Sequence, residues 1–562
     1  MGRVLIAGML LLVGSPHGRA EGTAPGGPAE GCRRGDILSC ARLLLGDCKP
    51  YDVDHARHVV AGGLAGAGRL AEAQALIGQI EGEFWRPAAE AAVARALAAR
   101  GEHARALELA SASEGNEPLV RLGQLYLDTG ELARAEAVAG EMGERMAYAR
   151  VALLCDLAAA RHADGRSERA AGLVVEALEI ARTQQERIPR SDALLLVAEA
   201  QKKIGHGKEA REIAMASLRW ADDAHMTRVQ RMMHRTFAHK VDVRARVFGI
   251  VLELGDLETA LALAREQPEL PGFHAMWITR SALLGKLGSA LIERGRVGEA
   301  CDLLSELSAC PVCGVRNLRS RLAVACDRAG DLAGALELAV DLEERERAWI
   351  FCDLAVGRIE EGGHESALEM TGRISKPVFL AACLIEMAER AGSAGRAEQA
   401  GAYLDRAIRA ARSDESRASV LVRSARILFG LGERARALAL VDEALGEKGS
   451  PERRVDEIAD ILSEAGECER LIGLAENGRL SENGRLSETR LGMAARDCAQ
   501  QGAFAAAVRL ACAIEDAEHL VEALAEIGQA AAEAGWKPAP GGEEIRCLRE
   551  RVRKMERRGA GR

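Results

Sequence analysis

The sequence predicts an all-α protein, an α-α superhelix (solenoid) of about thirteen helix hairpins. Three observations carry that expectation. Alanine, leucine, glutamate and arginine dominate, while aromatics are only 3% and prolines number 14, a composition that suits helices packed through small residues. A glycine recurs in a constant frame through most of the chain. The length, 562 residues, exceeds what one compact core organises, so an array or several domains must form. Apolar residues at 48% supply enough burial to exclude global disorder. A net charge of −9 gives no general electrostatic reason to bind nucleic acid, so no such partner is expected.

The chain opens with Arg3, an apolar run from Val4 to Val13, a break at Pro16 and small residues before Ala20. That is the grammar of a secretory signal peptide over residues 1–20, and the run is too short for a stable membrane anchor. The expectation is an exported chain, periplasmic or extracellular. The competing expectation is an ordinary first helix, or a misassigned start, on a cytoplasmic chain. Residues 21–31 read as a flexible linker by composition. Residues 32–50 read as an N-terminal cap with Cys32, Cys40 and Cys48 at eight-residue intervals.

The array is expected over residues 51–535. Its ruler is a glycine found at Gly68, Gly101, Gly130, Gly165, Gly205, Gly255, Gly295, Gly330, Gly362, Gly395, Gly432, Gly466 and Gly502. Alanine follows five residues later in every frame but one, where Leu471 stands. Alanine or glycine precedes by seven in every frame but one, where Phe248 stands. Seven residues is two helical turns, so the small residue and the glycine share a helix face. The small residue lets a neighbouring helix approach. The glycine ends the first helix in a conformation costly for other residues. An acid often follows, as at Glu131, Asp256 and Asp331, where it favours the positive end of the second helix. Such a hairpin cannot bury its apolar face alone and must stack.

This pattern resembles the tetratricopeptide repeat. The match is closest at Leu122, Gly123, Tyr126, Gly130 and Ala135, and again at Leu287, Gly288, Leu291, Gly295 and Ala300. Most frames have leucine or alanine where that family uses large aromatics. The resemblance implies a non-catalytic scaffold that holds protein or peptide partners in the inner groove of the stack. The Cys32–Cys48 stretch resembles the cysteine-rich Sel1-like relatives of that repeat. It implies a Cys32–Cys40 disulfide, which would agree with export. The many cysteines without an evident partner point instead to a reducing compartment.

The rhythm inside the array breaks at a lengthened interval and at the exact duplication ENGRLSENGRLS over residues 476–487, read as a tolerated loop duplication. The interval from Gly205 to Gly255 is the longest and carries an irregular insertion near 218–246, with Arg228, Arg231, Arg235, Lys240 and Arg244. These residues are the candidate partner-binding surface, for an acidic peptide or phosphate; a lengthened helix with a solvated basic face is the plainer alternative. His234 and His239 are five apart and share no helix face, so no metal is expected there. Within a regular interval lies Cys310-Pro-Val-Cys313, with Cys301 before it and Cys326 after it. Cys326 falls inside the next first helix, about 20 Å along from Cys313 at 1.5 Å per residue. A four-cysteine zinc site conflicts with that geometry. A disulfide or redox pair of Cys310 and Cys313 stays open beside two loop cysteines with no role.

Residues 536–562 form a linker and a basic C-terminal helix, with Ile545, Leu548 and Val552 as an apolar stripe. Its expected role is to cap the last hairpin; contact with anionic lipid or nucleic acid is the lesser alternative. No P-loop, dinucleotide fingerprint, G-x-S-x-G or H-E-x-x-H motif occurs, and the frame leaves no room for a separate catalytic domain. The chain is therefore expected to be no enzyme and to need no cofactor. The alternative function is a ligand or redox sensor, or an enzyme, with its site at 218–246 or at Cys310 and Cys313.

Overall fold

A computed structural model describes residues 28–33, 36–49, 52–184, 187–222, 235–267, 279–307, 313–411, 414–446, 451–476, 488–539 and 542–559. Among them the regular elements are all helical, and none is a strand. None of their helices is long and apolar enough to cross a membrane. The protein is an all-α solenoid of hairpins. The signal-peptide residues 1–20 lie outside the described residues. The helix Pro28–Arg33 begins within the stretch expected to be a linker.

Each ruler glycine sits where the frame puts it. All thirteen have φ between +73° and +87°. At Gly130 the glycine N–H donates to the Leu127 carbonyl at 3.1 Å, and the Glu131 N–H donates to the Tyr126 carbonyl at 2.8 Å. These are the two bonds of a Schellman cap. A Cβ on Gly130 would meet no heavy atom within 4 Å, so backbone conformation, not crowding, demands glycine there. A fourteenth member is Gly535, φ +67°, with Gly528 seven residues before it. Pro540 at plus five broke the pattern and hid it from the sequence count.

Asp256 and Asp331 cap their second helices, accepting from the N–H groups of Thr259 at 3.1 Å and Gly334 at 2.9 Å. Glu131 does not cap. Its longer side chain reaches Arg134 one turn on instead. The plus-five alanines, from Ala73 to Ala507, are fully buried, as is Leu471. At minus seven, Gly123 lets Leu153 of the next first helix sit on its backbone. A Cβ there would lie 2.8 Å from Leu153 Cδ2. Arginine–acid pairs cross from hairpin to hairpin, several of them nearly buried. Arg358 grips Asp327 with two bonds of 2.9 Å, and Glu136 is held by both Arg161 and Arg169.

The chain divides into two compact units. The second is Glu102–Glu467 with the short segment 477–487. The first gathers both ends of the chain: residues up to Gly101, Cys468–Glu476, and residues from Glu488 on. Within it, Ala517–Glu533 packs along Val53–Gly66 and Ile37–Leu44. A Cβ on Gly63 would lie 2.8 Å from the Ala525 carbonyl oxygen, and one on Gly528 would lie 2.7 Å from Leu38 Cγ. The missing side chains are what let these helices touch.

Both chain ends contribute to closing this unit. N-terminal helices cover the last first helix, while Glu543–Gly559 packs on Phe504–Cys512 and buries Leu548 and Val552.

Candidate functional site

Of the candidate basic surface, Arg228 and Arg231 lie outside the described residues. Arg235 and Lys240 lie on the helix Arg235–Glu253. Arg244 is a packing residue: its side chain is 11% exposed, and it donates to the Glu266 carbonyl at 3.0 Å. The following helix therefore holds this guanidinium close to the fold. Arg246, two residues on, bonds Glu199 at 3.0 Å and stands 3.8 Å from Asp192. Tyr148 is 45% exposed beside these three side chains. Burial, joined by the charges of Asp192 and Glu199 and opposed by Arg246, raises the Tyr148 pKa. Tyr148, Asp192, Glu199 and Arg246 come from three successive first helices, so they mark one face of the second unit.

Cys310 lies outside the described residues, and Cys313 begins the helix Cys313–Arg328. Cys301 is exposed on the preceding second helix and Cys326 lies far along the next first helix. The structure joins Cys32 to Cys40 in a disulfide, Cα atoms 4.6 Å apart. It also joins Cys468 to Cys498 and Cys512 to Cys547, with Cα separations of 6.0 and 6.2 Å. The sequence offered no partner for Cys468 or Cys498. The frame held the missing signal: plus two of one hairpin touches minus four of the next. His103 and Tyr126 occupy the same two places and hydrogen-bond at 3.1 Å. Elsewhere the buried cysteines behave as small hydrophobes. Burial pushes the Cys155 thiol up to about 12. A hydrogen bond with Cys383, together with burial, raises Cys352 well above the ordinary thiol range.

The first unit carries a polar cluster that the sequence did not reveal. Glu518 and Glu522 are one helical turn apart near the start of Ala517–Glu533 and share a face. His55, in the first turn of Val53–Gly66, inserts between them. Its Nδ1 lies 2.8 Å from Glu518 Oε1 and 3.0 Å from Glu522 Oε1. Trp85 holds the imidazole from the other side, ring centroids 4.3 Å apart.

Asp516 caps the acidic helix, accepting from the N–H groups of Glu518 at 3.0 Å and His519 at 3.2 Å and lying 3.0 Å from the His519 ring. Burial opposes the His519 charge, but the Asp516 hydrogen bond and the charges of Asp516, Glu522 and Glu518 outweigh it and raise the pKa. Burial and the Glu518 charge push Asp52 up. Burial likewise holds Glu522 above its ordinary range, Glu518 and Glu526 adding to it and the His55 ring opposing. A cleft of about 470 Å³ opens beside Glu518, with Asp52, Asp516, Lys49 and Arg551 in its walls.

No protein family and no curated protein matches the chain. Among solved structures it is similar to Ton1535 from Thermococcus onnurineus NA1, at 16% identity and a TM-score of 0.23, over 77% of this chain and 98% of that one. It is similar to Naa15/Naa10 bound to HypK-THB, at 16% identity and a TM-score of 0.31, over 84% of this chain and 75% of that one. It is similar to the pentatricopeptide repeat protein PPR10 from maize, at 14% identity and a TM-score of 0.32, over 89% of this chain and 77% of that one. The helical-repeat fold rests on the chain's own hairpins.

Proposed function

We propose that the chain is a non-catalytic protein–protein interaction scaffold whose tetratricopeptide-like hairpins hold a peptide along their first helices. One observation supports this above the others: Tyr148, Asp192, Glu199 and Arg246 line up on three successive first helices, with the phenol partly exposed and polar groups around it. A tyrosine with a wet tip beside charged partners offers apolar contact and hydrogen bonds together, which suits peptide recognition. Arg246, Asp192 and Glu199 also tie one hairpin to the next, whereas Tyr148 keeps nearly half of its surface exposed. Export is part of the proposal, supported by the signal-like first twenty residues and the three disulfides.

The test is a peptide-display selection against the full chain. A convergent motif is expected, with affinity reduced roughly tenfold or more by Tyr148→Ala, since buried aromatic anchors dominate such contacts. Charge reversal at Arg231 and Arg235 tests the basic segment separately: binding of an acidic peptide weakens if that segment is the contact. Selection that yields no shared motif, or a motif indifferent to both sets of changes, rejects the scaffold surface.

A further inference from the structure

The geometry points to a divalent metal site at His55, Glu518 and Glu522, taking a first-row transition ion such as Zn²⁺ between the first and last first helices of the array. Each residue offers one ligand atom, and the three atoms lie within 4.8 Å of one another. One imidazole nitrogen and two carboxylate oxygens form a donor set that first-row divalent ions accept. His55 Nδ1 meets the two carboxylates at 2.8 and 3.0 Å, hydrogen-bond distances, so an ion would replace the ring proton and these contacts would open slightly toward the roughly 3–4 Å that ligand atoms about 2.0–2.2 Å from a common centre keep from each other.

The supports of the site are independent of the ligands themselves. Trp85 packs against His55 and fixes the imidazole plane. Gly63 against Ala525 brings the two helices to backbone contact two turns further along, which sets their spacing at the ligands. Fixed helices carrying prearranged donors make a site rather than a chance meeting of side chains. The three side chains are only 22–29% exposed, yet the cleft beside Glu518 gives an ion a path and water positions to complete its shell. The nearby cations do not occupy this place. His519 is bound to Asp516, and Lys49 and Arg551 stand in the cleft wall.

An ion there would join residues 463 positions apart in sequence and stabilise the first unit. The experiment uses the full chain, stripped with chelator and dialysed. Titration calorimetry with Zn²⁺ is expected to find one site lost on Glu522→Gln or His55→Ala, with affinity falling at least tenfold. Glu515→Gln, a wall residue outside the donor set, should leave it unchanged. Co²⁺ substitution should give visible bands without a thiolate charge-transfer band, which separates this site from ion captured by cysteines. Because His55→Ala could disturb folding, metal-catalysed oxidation of the unaltered chain by Cu²⁺ and ascorbate provides a second measurement. Peptide mass spectrometry should place the oxidation on His55. Zn²⁺ affinity equal in Glu522→Gln and the parent chain, a thiolate-type Co²⁺ spectrum, or oxidation that spares His55 would each overturn the site.

Discussion

At the scale of single residues, two kinds of glycine do different physical work. Gly130 has open space where a side chain would go but needs φ +74°, so Gly130→Ala costs about 1 kcal/mol of backbone strain. Gly63 has ordinary helical geometry but no room, because the obstacle is the Ala525 carbonyl, which cannot rotate away. Gly63→Ala should therefore cost about 1–3 kcal/mol. It should lower the denaturant midpoint of the first unit, whereas Gly62→Ala, which meets only the Ala92 methyl at 3.3 Å, should cost less. A titrating residue gives a further prediction. His519 has a raised pKa in the fold, so its contribution is complete below its unfolded value near 6.5 and is lost as pH rises through the raised value. Asp516, whose hydrogen bonds and charge partners outweigh burial and lower its pKa, loses its contribution only as pH falls below 3.8. The destabilisation caused by His519→Ala should thus be largest near pH 5 and shrink toward pH 9 in thermal melts.

Among the elements, hairpins are joined by ion pairs and by disulfides. Cys512–Cys547 attaches the terminal helix to Phe504–Cys512 across a separation of 35 residues. Closing a loop of that length constrains the unfolded chain by about 3–4 kcal/mol in the chain-entropy account. Cys547→Ser should accordingly release Glu543–Gly559, read as faster amide exchange over that helix with exchange at Glu117–Asp128 unchanged.

How legible each element was depended on the span of its contacts. The glycine, the small residue at minus seven and the alanine at plus five all act within one hairpin, and all were readable. Cys468–Cys498 acts between hairpins, and only a comparison of plus-two and minus-four positions would have revealed it. The Arg244 contact with the next helix was not legible, because charge alone does not tell an open guanidinium from one folded onto its neighbour. Glu131 stands at the start of its second helix as the frame placed it, but whether an acid there caps by hydrogen bond or pairs with a neighbour turns on side-chain length, which the frame does not carry.

For the molecule as a whole, the least legible feature was the meeting of the two ends in the first unit. His55 and Glu518 lie 463 residues apart, and no local periodicity encodes that pairing. Its consequence is testable by truncation. A chain ending after Gly502 loses Ala517–Glu533, so the faces of Val53–Gly66 and Ile37–Leu44 that pack on it become exposed. Binding of an apolar dye and rapid amide exchange over residues 53–66 are expected, with protection retained in the second unit. Equal protection of residues 53–66 in the truncated and full chains would contradict the packing.

The same meeting of ends constrains biosynthesis. Val53–Gly66 emerges early from the ribosome, but its partner helix follows more than four hundred residues later. At about 5–20 residues per second the apolar flank of the early helix waits on the order of half a minute or more. During that interval it is a target for chaperones and proteases, so the yield of native protein should depend on a holdase that binds the nascent N-terminal segment until translation ends.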